Sequence, residues 1–100
     1  MIKADRKLHT IPIEEIQFIE SEREYVAVHL KGGRRILSLM PLYQMEATLA
    51  DHNFIRIHRS FIIPISKVTA ANLRFVFLGK KRFRVGGSYR KIVEEKLLTN

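Results

Sequence analysis

The sequence predicts a mainly β domain with two short helices. Apolar and polar residues alternate over short runs, turn-forming Gly, Pro and Asn fall between those runs, and only two stretches repeat apolar residues at helical spacing. At 100 residues the chain makes one domain with a modest core, without internal repeats or low-complexity segments.

Residues 1–10 are polar and expected to be irregular, a leader or the remnant of a linker, with the folded domain spanning 11–100. Ile16 to Glu20 and Tyr25 to Leu30 are the first two expected strands, joined by a polar loop, Ser21-Glu22-Arg23-Glu24. In the second strand Val26, Val28 and Leu30 share one face, while Tyr25, Ala27 and His29 share the other. Lys31-Gly32-Gly33-Arg34 supplies glycines able to take positive φ, turning the chain into a third strand, Arg35 to Leu39, and completing an antiparallel meander.

Pro41 is tolerated in a first helical turn, and Leu42, Met45 and Leu49 follow at spacings of three and four. A short amphipathic helix near 41–52 is expected, stopped by Asn53. Further strands are expected at Phe54 to His58, Phe61 to Ile65, Leu73 to Leu78 and Lys81 to Val85, with breaks at Pro64, Ala70-Ala71-Asn72 and Gly79. Gly86-Gly87-Ser88 then leads into a final helix near 88–98, with Ser88 as its N-cap.

Charge is distributed unevenly along this framework. Residues 1–50 carry seven Lys/Arg against seven Asp/Glu, residues 51–100 carry eleven against three, and His52 to Val93 contains no acid. The whole excess of +8 therefore sits in the second half, and its field concentrates phosphates, which favours nucleic acid or an anionic surface as partner. The absence of cysteine removes disulfides and thiolate metal sites. No apolar run reaches the ~20 residues that cross a bilayer, nor does the N-terminus resemble a signal peptide. A soluble cytoplasmic protein is expected.

In 55–65 the odd positions Ile55, Ile57, Phe61, Ile63 and Ile65 form an apolar face on which Arg59 is the one charge. A continuous strand would bury an unpaired guanidinium, so a bulge or turn at His58 to Ser60 is expected to flip Arg59 outward. The alternatives are that Arg59 snorkels or pairs with Glu20 or Glu22, and that His58 is a structural histidine. A second constellation, Val85 to Lys91, combines glycines that admit a ligand with a helix start suited to phosphate and with Arg90 and Lys91, whose charges oppose the helix dipole. The alternative there is a capped loop with solvated charges, where Tyr89, Ile92, Val93 and Leu97 supply the apolar stripe. A third cluster, Lys80-Lys81-Arg82-Phe83-Arg84, supplies phosphate contacts or a charged edge that discourages aggregation.

Enzyme chemistry is poorly supported, leaving open a metal site or triad assembled only in space. His9, His29, His52 and His58 are scattered without carboxylates or thiols at ligand spacings, and no nucleophile motif or phosphate loop occurs.

The order Ile16-Gln-Phe-Ile-Glu-Ser, hairpin loop, Tyr25-Val, glycine turn, helix ending at Leu49, then Phe54-Ile-Arg-Ile-His-Arg-Ser-Phe-Ile-Ile resembles the LytTR (LytR/AlgR-type) DNA-binding domain, from about Ile11 to Leu98. The resemblance implies an elongated antiparallel β fold of about ten short strands in several small sheets. It further implies sequence-specific binding of double-stranded DNA by loops set into successive major grooves, as the output domain of a bacterial two-component response regulator. An N-terminal receiver domain in the full-length protein and a homodimer on repeated half-sites would accompany it, without metal, organic cofactor or membrane.

Base contacts are implied at Arg59, Arg23, Tyr25 and Ser88, and phosphate contacts at His58, Ser60, Arg84, Tyr89, Arg90 and Lys91. Two departures stand out: Gly87 sits where the last turn often carries Arg, and Pro64 where Asn is common. The first weakens base reading by the final loop and makes Arg90 the substitute. A different class remains open, a single-stranded RNA-binding β module stacking bases on Tyr25, Phe75, Phe77, Phe83 and Tyr89. Phe75 and Phe77 share a face with Leu73, where core residues are expected. A basic protein-interaction domain would instead show no salt-dependent nucleic-acid binding.

Overall fold

The chain forms three antiparallel sheets in the computed structural model, which describes residues 2–4 and 7–99. Met1, Asp5, Arg6 and Asn100, which fall under the expected leader and the end of the domain, lie outside the described residues. β1 (Ile2–Ala4) pairs with β2 (Lys7–His9), Lys3 opposite Leu8, where irregular chain was expected. Strands of three residues are too short for alternation to be recognised.

The main sheet is built from β3 (Ile16–Glu22), β4 (Tyr25–Leu30), β5 (Arg35–Ser38), β6 (Phe54–His58) and β7 (Phe61–Pro64), in the order β5-β4-β3-β7-β6. Its first hairpin is tighter than expected, because Ser21 and Glu22 continue β3 and only Arg23 and Glu24 turn. Ser21 lies opposite Val26 and Glu22 opposite Tyr25, so cross-strand pairing extends the strand through residues whose polarity suggested loop. Pro64 closes β7 opposite Phe54, a strand-end position where its missing N–H costs little.

Alternation along these strands divides the interior into two cores. On one face Ile19, Val28 and Ile62 pack under α1 (Leu42–Thr48), whose Leu42 and Met45 point inward, with Leu49 just beyond. A 3₁₀ turn, Ala50–His52, extends the helix before Asn53 takes the left-handed conformation, φ 59°, and ends it. The helix and its stop match the reading of the sequence.

The opposite face carries Ile55, Ile57 and Ile63, covered by Val76, Phe83, Val85 and Val93. Val76 and Phe83 come from a small sheet of β8 (Ala70–Ala71), β9 (Phe75–Leu78) and β10 (Lys81–Arg84), paired in the order β10-β9-β8. Phe83 is 2% exposed, with the Phe18 and Phe61 rings 5.0 and 5.2 Å away, edge-on. Removing a phenyl ring so placed costs about 3–5 kcal/mol.

Three expectations fail in this half. Ala70-Ala71 forms β8 instead of a break, because Ala70 and Ala71 pair with Phe77 and Val76. Asn72 then makes the turn, its Oδ1 accepting the amides of Arg74 and Phe75 at 2.8 Å. Phe75 and Phe77 face outward, because the buried Val76 and Phe83 claim the core side; Arg82 covers Phe75 at 4.3 Å. Finally, the last helix starts earlier and less regularly than predicted: a 3₁₀ turn, Gly87–Tyr89, then α2 (Arg90–Val93), then a π-type turn, Glu94–Leu98. Ser88 is inside the first turn and makes no side-chain cap. With only four α-helical residues, the dipole argument at Arg90 and Lys91 carries little weight.

The whole measures 39 × 25 × 23 Å, elongated as expected. Among the described residues, no helix is long and apolar enough to cross a membrane.

Candidate nucleic-acid interface

The residues that break the apolar pattern collect at one end of the main sheet. Because β3 and β7 are antiparallel neighbours, the β3–β4 tip at Arg23-Glu24 and the β6–β7 tip at Arg59-Ser60 project side by side. The Ser21 amide donates to the Ser60 carbonyl at 2.8 Å and fastens the two tips together. Beyond β6 lies the 86–89 turn, whose Gly86 amide donates to the Ile57 carbonyl at 2.9 Å. Arg59 therefore occupies the middle of three adjacent loops.

The turn at Arg59 has a local cause. Arg56 lies opposite Ile62 but His58 lies opposite Phe61, so an extra residue bulges β6 just before the tip. The Ser60 amide donates to Nδ1 of His58 at 3.1 Å, closing the two-residue turn, and Arg59 is left exposed. Among the described residues no carboxylate pairs with Arg59, because Glu20 and Glu22 are engaged elsewhere. Glu22 binds Nη1 of Arg35 through both oxygens at 2.9 and 2.8 Å, and Glu20 lies 3.5 Å from Nε2 of His29.

His58 carries both a structural and an electrostatic constraint. With Nδ1 accepting a backbone amide, the neutral ring places its proton on Nε2, leaving that atom as a donor. Burial pushes its pKa below the usual 6.5, and the positive charges of Arg59, Arg84 and Arg56 push it further in the same direction. The ring is thus neutral around pH 7.

The structure brings together most of the residues expected in contact with DNA. Tyr25 is 43% exposed and borders, with Glu22, Arg23 and Glu24, a shallow hollow at the first tip. Arg23 turns the chain at φ 55°, a left-handed conformation costing an arginine roughly 1–2 kcal/mol. Ser88, Arg90 and Lys91 are exposed on the 86–89 turn and the residues after it. Tyr89 is drawn inward, its ring against Gly86, where a Cβ would lie 3.1 Å from Tyr Cδ2 and 3.5 Å from the His58 Cα. Gly86 is what lets the last turn approach the hairpin tip.

Two arginines emerge that the sequence did not single out. Arg74, which immediately precedes β9, joins Arg84 and Arg90 around a cleft of about 320 Å³ without an acidic lining residue. Arg56 lies beneath the tip, its Nη2 donating to the Arg59 carbonyl at 2.6 Å. Arg56 shares its strand parity with Phe54 and His58, and only the tertiary contacts disclose its partners.

Behind the first tip, His29 stacks on Phe18 at 4.0 Å, and its Nε2 meets the carboxylates of Glu20 and Glu22, all within 4.8 Å. Spacing along the sequence concealed this grouping, which strand pairing assembles from His29 opposite Phe18 and Ala27 opposite Glu20. Burial lowers the His29 pKa against the opposing pull of the two glutamates, and Arg35 neutralises Glu22. Within the group the ion pair is Arg35 with Glu22, and His29 Nε2 is buried beside the carboxylates.

The profile of the LytTr DNA-binding domain family matches residues 6–98. No curated protein matches the chain in sequence. In structure the chain resembles the LytTr DNA-binding domain assigned to a methyl-accepting/DNA response regulator of Bacillus cereus. The TM-score is 0.77 at 22% identity, over 87% of this chain and 84% of that one. That likeness shows the fold, and the profile, covering nearly the whole chain, shows the family. The chain belongs to the LytTR family, a family of DNA-binding domains and not of enzymes.

Proposed function

We propose that this DNA-binding domain reads double-stranded DNA sequence-specifically, as the cytoplasmic output domain of a transcriptional regulator of the response-regulator type. The supporting observation is the exposed Arg59, without a carboxylate partner among the described residues, in the middle of three adjacent loops and within the acid-free stretch from His52 to Val93. Arg59 reads a base, and Arg23, Tyr25 and Ser88 read from the flanking loops. His58, Ser60, Tyr89 and Lys91 contact phosphate, and Arg84 and Arg90, joined by Arg74, clamp the flanking backbone. Residues 11–100 are the DNA-binding unit, preceded by the leader or linker remnant of residues 1–10, which carries the β1–β2 hairpin. A receiver domain on the N-terminal side and a second copy on a repeated half-site complete the regulator.

Single-stranded RNA is the rival partner, and the outward-facing Phe75 and Phe77 favour it. Against it, Phe83 is buried and Arg82 already lies over Phe75. A guanidinium paired with guanine O6 and N7 contributes roughly 1–3 kcal/mol of discrimination. Arg59→Ala is therefore expected to lower affinity for a selected duplex by about that amount while changing affinity for a scrambled duplex much less, in titrations at fixed salt. Equal losses on both duplexes would remove Arg59 from base reading.

A further inference from the structure

Among the described residues, Arg56 directs its donors inward, against the loops at this end of the sheet. Its side chain is 18% exposed. Nη2 donates to the Arg59 carbonyl at 2.6 Å, and Nε lies 3.4 Å from the His58 carbonyl, a weaker bond. Nη1 is 3.5 Å from Oε1 of Glu46 on α1, and the guanidinium carbon lies 5.8 Å from the centroid of the Tyr89 ring. Tyr89 in turn packs on Gly86, whose amide is bound to the Ile57 carbonyl.

We infer that Arg56 is a positioning residue for DNA reading, locking the tip that carries Arg59 to the 86–89 turn so that both loops meet the duplex in register. This rests on the proposed reading of DNA by these loops. The Ser60 carbonyl is already taken by the Ser21 amide, so the Arg59 carbonyl is the tip carbonyl that Arg56 holds, with a longer reach from Nε to the carbonyl of His58 at the end of β6. A planar fork that ties the tip to its own strand and sits on Tyr89 restrains the tip, whereas a lysine presents a single ammonium and cannot reproduce the fork. Because its donors are engaged, Arg56 adds no phosphate contact of its own, unlike the exposed Arg84.

The test titrates the intact domain, Arg56→Lys, Arg56→Met and Arg84→Ala against a selected and a scrambled duplex over a range of salt. Arg56→Lys retains the charge and the reach to Glu46, so it keeps a folded comparison available if the Met variant unfolds. Both Arg56 variants are expected to lose about tenfold of the selected-to-scrambled affinity ratio, a share of what one well-placed base contact provides. Their slope of log K against log salt stays that of the parent, while Arg84→Ala loses about one unit of slope. Folded Arg56→Lys with an undiminished ratio overturns the inference, as does a slope reduced like that of Arg84→Ala, which would make Arg56 a phosphate contact. A parent domain that does not discriminate between the duplexes overturns the proposed DNA reading itself, and the role of Arg56 falls with it.

Discussion

His58 shows how one side chain shapes the interface and answers to pH. Its Nδ1 holds the Ser60 amide only while unprotonated, and burial with three nearby arginines lowers its folded pKa below 6.5. A lowered folded pKa means that the contribution to stability is present above the unfolded value, about 6.5, and is lost as pH falls through the folded one. Unfolding measured from pH 7.5 to 5 is therefore expected to show His58→Asn losing less stability than the parent, since the Asn oxygen accepts the same amide without titrating. Parallel profiles would show that the bond does not govern the tip. The outward turn of Arg59 was legible in the sequence, because a lone charge on an otherwise apolar parity demands an explanation. Arg56 and Arg74 were not, because their roles depend on which loops the fold sets beside them.

At the scale of elements, hairpins with clear alternation and α1 with its helical spacing and Asn53 stop were legible. Those determined by tertiary pairing were not: β8 consists of two alanines that pair only because β9 is there, and the final helix begins as a 3₁₀ turn at Gly87. That turn carries a directed prediction. Gly87 has no positive φ, and a Cβ there would meet nothing within 4 Å, so a side chain fits without strain. Gly87→Arg, which places a guanidinium on the turn that the proposed reading sets against DNA, is expected to tighten binding to duplex DNA by a factor of about five or more, within the range of a single arginine contact. Unchanged affinity in the folded variant would show that this turn does not face the duplex.

At the scale of the molecule, two cores on opposite faces of one sheet support the loop-bearing end, where, among the described residues, Arg59 has no carboxylate partner. The charge asymmetry was legible from composition. The exposure of Arg82 and Arg84 was not, because it depends on β9–β10 packing their buried side, Val76 and Phe83, against the main sheet. Mobility-shift competition with a duplex recovered from a random pool tests the central claim most directly. Unlabelled copies of that duplex are expected to displace the label at concentrations about a thousandfold or more below those needed for a scrambled duplex. Equal displacement by the scrambled duplex, or stronger displacement by single-stranded RNA at equal nucleotide concentration, would contradict sequence-specific reading of double-stranded DNA.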